Sequence, residues 1–193
     1  MDKFTFDGVA LFYRLIETTC GDVGVLWTDG DSNPSVVGIV LPRQNIATAL
    51  FVKTLYPDAK EATHENLEDL CDCIYRYTKG EDVDFPLSLL DLDLCYNFQL
   101  RVLLKLKEVP RGRVISYGRL AEKIHAPRAA RAVGTAVAKN PFPLIFPCHR
   151  VVRASGHIGN FGSGPDMKKN LLRLEGVEVS DKRRIDRSQE LCD

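Results

Sequence analysis

Asn140-Pro141-Phe142-Pro143-Leu144-Ile145-Phe146-Pro147-Cys148-His149-Arg150-Val151-Val152 sets a cysteine directly against a histidine and an arginine, at the end of an apolar run punctuated by three prolines. Proline fixes its own φ and carries no amide donor, so the run approaches Cys148 as a rigid, non-helical segment. A thiol beside two potential cations can hold a thiolate near neutral pH, and the thiolate is the nucleophile. A buried structural cysteine is the ordinary alternative for a free thiol, and spacing alone does not remove it.

Working outward, Arg153-Ala-Ser-Gly-His-Ile-Gly-Asn-Phe-Gly-Ser-Gly-Pro165 carries four glycines and reads as a loop that approaches something closely or turns sharply. The order of its glycines matches no nucleotide-binding fingerprint. A helix over 166–174, with Met167, Leu171, Leu172 and Leu174 inward, leads to Glu175-Gly176. Upstream, the spacing of Phe98, Val102, Leu103 and Leu106 predicts a helix over 96–107, stopped by Val109-Pro110-Arg111-Gly112. Ser116 is a good N-cap for a helix over 117–124, which His125-Ala126-Pro127 breaks before another helix over 128–139. Two short helices joined by a tight turn, the second carrying Ala129, Ala130, Ala132, Gly134, Thr135, Ala136 and Ala138, make a helix-turn-helix pattern. Such small side chains let a backbone approach a nucleic-acid groove, with Arg128, Arg131 and Lys139 as candidates for contacts to phosphates or bases. A helix pair packed closely in a core explains the same residues equally well.

Charge separates the two halves. The net charge is zero, but residues 1–97 hold 7 Lys and Arg against 17 Asp and Glu, while residues 98–193 hold 19 against 9. A basic half suits a phosphate-bearing partner, although solvated charged faces are common. At 193 residues and 45% apolar composition the chain can bury one core or two small ones. Six cysteines with no leader-like N-terminal segment are expected as reduced thiols in the cytoplasm, with access to the nucleoid or nucleus if DNA is the partner. Cys71 and Cys73 with His64 and Cys20 invite a metal, but residues i and i+2 of a helix face different ways, and no metal or cofactor is expected.

The first half reads as strands over 9–17, 23–27 and 36–41, separated by Cys20-Gly21-Asp22 and by the turn-rich residues 29–34. Helices over 45–55 and 64–78 follow, then a short strand over 82–85 and a leucine-rich connection. The composition shifts near Leu94. The expected organisation is an α/β domain over 1–94 built on an antiparallel sheet, a mainly α domain over 95–179, and a charged, apolar-poor flexible tail over 180–193.

An activated cysteine, a helix pair suited to DNA and a glycine loop beside the nucleophile leave several chemistries open. His149 with Glu175 would also serve a cysteine hydrolase, and the helix pair alone would serve a non-catalytic DNA-binding regulator or lesion-recognition protein. Pro147-Cys148-His149-Arg150-Val151 resembles the signature of the O6-alkylguanine-DNA alkyltransferases, or methylated-DNA–protein-cysteine methyltransferases. The resemblance runs in order from Phe98-Gln99 through Val109-Pro110, Ser116-Tyr117-Gly118, Arg131-Ala-Val-Gly134, Asn140-Pro141 and the glycine loop to Glu175-Gly176.

The resemblance implies a ribonuclease-H-like first domain and a helix-turn-helix in the second. It implies irreversible, single-turnover transfer of an alkyl group from O6 of guanine, and in some members O4 of thymine, to Cys148. The partner is double-stranded DNA containing O6-alkylguanine, met by a monomer with no membrane or cofactor. His149, held by Glu175, would deprotonate Cys148 through a water, Tyr117 would protonate the leaving guanine, and Asn140 would bond near the active-site turn. Arg131 would fill the space of the extruded base, with Arg128, Ala129, Ala130, Gly134, Thr135 and Arg150 on DNA and Val151, Ser155, Gly156 and Phe161 around the base. Leu103 stands where many members have tryptophan, and Phe161 where tyrosine is usual.

Overall fold

The computed structural model describes residues 6, 8–29 and 33–191. The chain divides into two compact units, Asp2–Leu94 and Cys95–Asp193. Among the described residues no helix is long and apolar enough to cross a membrane.

The first unit is built on β1 (Leu11–Ile16), β2 (Val23–Asp29) and β3 (Pro34–Val40), with β4 (Lys60–Glu61) at the edge, in the order β3-β2-β1-β4. The first three pair antiparallel, whereas β4 lies parallel to β1 through Phe12↔Lys60 and Tyr13↔Glu61. β1 buries Leu11 and Tyr13 in alternation at its start and Ile16, out of that phase, at its end. β2 is buried along all but its last residue, as its unbroken apolar run implies. Helices α1 (Thr48–Leu55) and α2 (Glu68–Thr78) cover apolar surface with Val52, Leu70 and Ile74. The expected strand over 82–85 does not form. That segment has two exposed carboxylates and no ladder partner, and Val36 instead bridges Leu90. β4 gave no apolar signal because both of its residues are exposed. Residues 30–32 of the expected turn lie outside the described residues.

The second unit is mainly helical. α3 (Asn97–Lys107) buries Val102, Leu103 and Leu106, together with Gln99, whose amide donates to the Ala136 carbonyl at 3.2 Å. Short β5 (Ile115–Ser116) leads into α4 (Tyr117–Lys123), whose first turn is capped by the Ser116 hydroxyl accepting from the Arg119 amide. α5 (Ala130–Ala138) packs on both α3 and α4 through Val133, Ala136 and Val137. β6 (Val151–Val152) pairs parallel with β5, and α6 (Pro165–Leu174) follows the glycine loop with proline at its first position, where no amide is needed.

Residues 180–191, expected as a flexible tail, are packed. Val179↔Ile185 and His157↔Arg184 bridge antiparallel, and Val114↔Glu190 bridges parallel. The Leu191 amide donates to the Val114 carbonyl at 2.7 Å, and the Gln189 side chain donates to Gly176 at 3.0 Å. Ile185 joins a buried cluster with Val114, Val152, Ile158, Leu172, Val177 and Val179. Backbone pairing thus attaches a segment whose own side chains are mostly polar. Replacement of Ile185 by alanine is expected to destabilise the second unit by about 2 kcal/mol, the lower end for a buried isoleucine. Urea unfolding followed by a signal from this unit measures it. An unchanged midpoint would leave the segment outside the cooperative core.

Candidate active site

Parallel pairing of β5 with β6, in the register Ile115↔Val151 and Ser116↔Val152, carries Tyr117 to the cysteine. These two-residue strands flank the functional residues on both sides: Tyr117 follows Ser116, and Cys148–Arg150 precede Val151. The proline run forms a bend held by Asn140, whose amide donates to the Phe146 carbonyl at 2.8 Å and whose Oδ1 accepts from the Phe142 amide at 3.0 Å. Phe142 and Phe146 are fully buried beneath the bend, their ring centroids 6.2 Å apart. The Cys148 amide closes back on Phe146 at 2.7 Å, and Cys148–Arg150 form one turn of 3-10 helix. That turn places the thiol, the imidazole and the guanidinium on one short segment.

Two of those side chains meet Glu175. His149 Nε2 lies 2.9 Å from Glu175 Oε1, while Arg150 forks onto the carboxylate, Nε to Oε2 at 2.9 Å and a terminal nitrogen to Oε1 at 2.7 Å. The other terminal nitrogen of Arg150 donates to the Val109 carbonyl. Glu175 reaches this position because α6 ends just before it. Gly176 adopts φ +83°, and the amides of Gly176 and Val177 return to the carbonyls of Arg173 and Leu172 at 2.9 Å each. Gly112 lets its turn come close, since a Cβ there would stand 3.1 Å from the Glu175 carbonyl oxygen.

Electrostatics differ from the expectation of a resident thiolate. Burial pushes the Cys148 thiol up, against the opposing effects of the Asn140 amide, Lys168 and the backbone amides of Cys148 and His149. The resting side chain is therefore a thiol. The neighbouring cations in sequence are not the ones that face it: Arg150 is committed to Glu175, and burial holds His149 below its ordinary value. Burial alone would raise the Glu175 carboxyl, but His149 and Arg150 outweigh it and hold the group well below the usual carboxylate range. A carboxylate only accepts hydrogen bonds, so the His149 nitrogen facing it carries the proton.

Lys168 went unrecognised in the sequence. Its side chain is 1% exposed, its Nζ donates to the Val151 carbonyl at 2.6 Å, and burial brings its pKa down to about 8, with Cys148 resisting that fall. The available signal was its spacing of three and four from Leu171 and Leu172 on the buried face of α6. Met167 and Leu174, assigned inward, are only half-buried. Tyr117 is also half-buried, and burial together with Cys148 raises its phenol, partly offset by Arg153. Gly134 of α5 faces it, and a Cβ there would rest in ordinary contact, 3.8 Å from the Tyr117 ring.

The structure thus brings Cys148, His149, Glu175, Tyr117 and Asn140 together. Arg150, expected on DNA, is instead buried in its ion pair, because a buried carboxylate needs a compensating charge. Val151, expected beside the base, has its side chain wholly buried. Strand pairing turns it inward, and only its carbonyl serves the site. Arg128, Arg131 and Thr135 are exposed, with Ala129, Ala130 and Gly134 half-buried along the same helix start and face. In the loop, Ser155 is exposed, Gly156 is buried at φ +79° and Phe161 is half-buried.

A family model described as the 6-O-methylguanine DNA methyltransferase DNA-binding domain matches residues 97–177. A methylated-DNA–protein-cysteine methyltransferase of Methanothermobacter thermautotrophicus is 35% identical over 158 residues, spanning 82% of this chain and 81% of that protein. One from Mycobacterium leprae is 46% identical over 104 residues, 53% of this chain and 61% of that protein. Among solved structures, Mycobacterium tuberculosis OGT in complex with DNA superposes with a TM-score of 0.67 at 31% identity, over 85% of this chain and 92% of that one. The O6-methylguanine-DNA methyltransferase of Pyrococcus kodakaraensis gives 0.65 at 28% identity, over 86% and 99%. A relative 35% identical over most of both chains, together with a family model whose matched residues contain Cys148, His149 and Glu175, has one reading: the chain belongs to the methylated-DNA–protein-cysteine methyltransferase family.

Proposed function

We propose that the protein repairs DNA by moving an alkyl group from O6 of a guanine in duplex DNA onto Cys148, once per molecule. The observation that carries this reading is the convergence on one buried thiol of an imidazole fixed by an ionised carboxylate and a phenol that stays protonated. His149, through its ring nitrogen turned away from Glu175, takes the thiol proton by way of a water. The sulfur then attacks the alkyl carbon in line, the carbon–O6 bond breaks, and its electron pair passes into the guanine. Tyr117 donates its proton to a ring nitrogen of the departing base, which would otherwise leave as a poor anion. The product is a thioether that nothing in the site reverses.

An O6-alkyl group lies within the base stack, so the nucleotide must be turned out of the duplex at a cost of roughly a few kcal/mol. We read α4 and α5 as a helix-turn-helix, with α5 facing the minor groove through Ala129, Ala130, Gly134 and Thr135 and with Arg128 on phosphate. Arg131, exposed at the start of α5, takes the space of the extruded base and offsets part of that cost. The loop around Ser155, Gly156 and Phe161 closes on the flat base. The first unit is read as ribonuclease-H-like. The protein is read as acting as a monomer.

Incubation with a duplex containing O6-methylguanine is expected to add one methyl group to the intact protein, and Cys148→Ala is expected to add none. Absence of a stoichiometric gain in the wild type would exclude the alkyl-acceptor reading, and repeated turnover would favour a hydrolase. Tyr117→Phe should slow single-turnover transfer about 10²-fold, the scale of a lost general acid, with little change in DNA affinity. An unchanged rate would remove Tyr117 from the acid role. Arg131→Ala should impair transfer from duplex more than from free O6-benzylguanine, and equal losses would count against its place in the stack.

A further inference from the structure

We propose that Arg150 is a positioning residue that keeps His149 uncharged and in the tautomer able to accept the thiol proton, by taking up the carboxylate charge of Glu175 in a buried two-pronged ion pair. The inference rests on the function proposed above and deepens it.

The geometry separates two jobs that one carboxylate would otherwise confuse. Glu175 must accept from His149 Nε2 to fix the ring, and an ionised carboxylate does this best. A buried carboxylate facing a lone imidazole, however, favours the doubly protonated ring, which has no lone pair left for a proton. Arg150 resolves the conflict. Its fork occupies both carboxylate oxygens, and the oxygen nearest His149 is shared between them, at 2.9 Å from the imidazole and 2.7 Å from the guanidinium. The pair formed by Arg150 and Glu175 is then neutral as a unit, so a proton on His149 would add an unbalanced buried charge.

The other groups around His149 leave this balance in place. Lys168 of α6 opposes a charge on His149, as Arg150 does, while Glu175 at the end of α6 favours it. Cys148 is a neutral thiol on the same turn, and Tyr117 of α4 is a neutral phenol beside it. From the 109–113 turn, Arg111 donates to the Leu174 carbonyl at 2.8 Å. Val109 completes the device: its carbonyl receives the far nitrogen of Arg150 and fixes the plane of the fork. Lysine has no second prong to hold both carboxylate oxygens in this way.

The test is the pH dependence of single-turnover methyl transfer from an O6-methylguanine duplex in wild type, Arg150→Lys, Arg150→Gln and Arg150→Gln/Glu175→Gln. In Arg150→Gln the acid limb should move up by about one pH unit or more, so that transfer near pH 6 falls about tenfold further than transfer near pH 8. Arg150→Lys should move it less, and the double variant, in which the carboxylate charge is also gone, should lose the upward shift. A uniform loss with an unmoved limb would mean that Arg150 is only structural and would overturn the proposal. Nitrogen NMR of the wild-type imidazole gives a second reading that needs neither a folded variant nor alkyl transfer. His149 should be neutral near pH 6 with its proton on Nε2, and an imidazolium there, or a proton on Nδ1, would overturn the proposal even if transfer proceeds. Failure of methyl transfer with the NMR result as expected would instead count against the proposed function alone.

Discussion

A single buried carboxylate governs the second unit. Removing an ion from water costs several kcal/mol even after relaxation, and Glu175 is tolerated only because a guanidinium and an imidazole meet it with good geometry. The three partners come from distant parts of the chain: the end of α6, the turn that carries Cys148, and, through the Val109 carbonyl, the turn after α3. Satisfying that charge therefore also locks these segments together. The glycines at 112 and 176 belong to the same constraint, one by permitting close approach and the other by ending α6 so that the carboxylate turns inward.

The nucleophile is protected by the same burial that makes it slow to ionise. Cys148 rests as a thiol beside Lys168, whose own charge is weakened by its surroundings. Neutral histidine, phenol and thiol sit next to one another, an arrangement built to pass protons rather than to store a thiolate. This suits an acceptor used once, which gains nothing from being reactive toward other electrophiles beforehand.

Much of the fold was legible in the sequence. Apolar spacing in 97–107 reports burial directly, because a helix hides one face whatever its partner. The elements that were missed lack that signal. β4 is two exposed charged residues held by backbone pairing to β1, and residues 180–191 are attached through bridges to Val114, His157 and Val179. Lys168 was overlooked because a long charged side chain is usually solvated, and only packing reveals that this one ends on the Val151 carbonyl.

By itself the sequence determined most of the longer elements, the division near residue 94, and Cys148 as a nucleophile with His149 and Glu175 as its possible relay, while Tyr117 and Asn140 were singled out by their places in ordered motifs that resemble a known family. It could not say which way those side chains point or what charge they carry. Adjacency to Cys148 suggested that His149 and Arg150 would sustain a thiolate and that Arg150 would reach DNA, but one turn of 3-10 helix sends both toward Glu175. Charge state depends on burial and on partners far away in the chain, and those are properties of the tertiary structure alone.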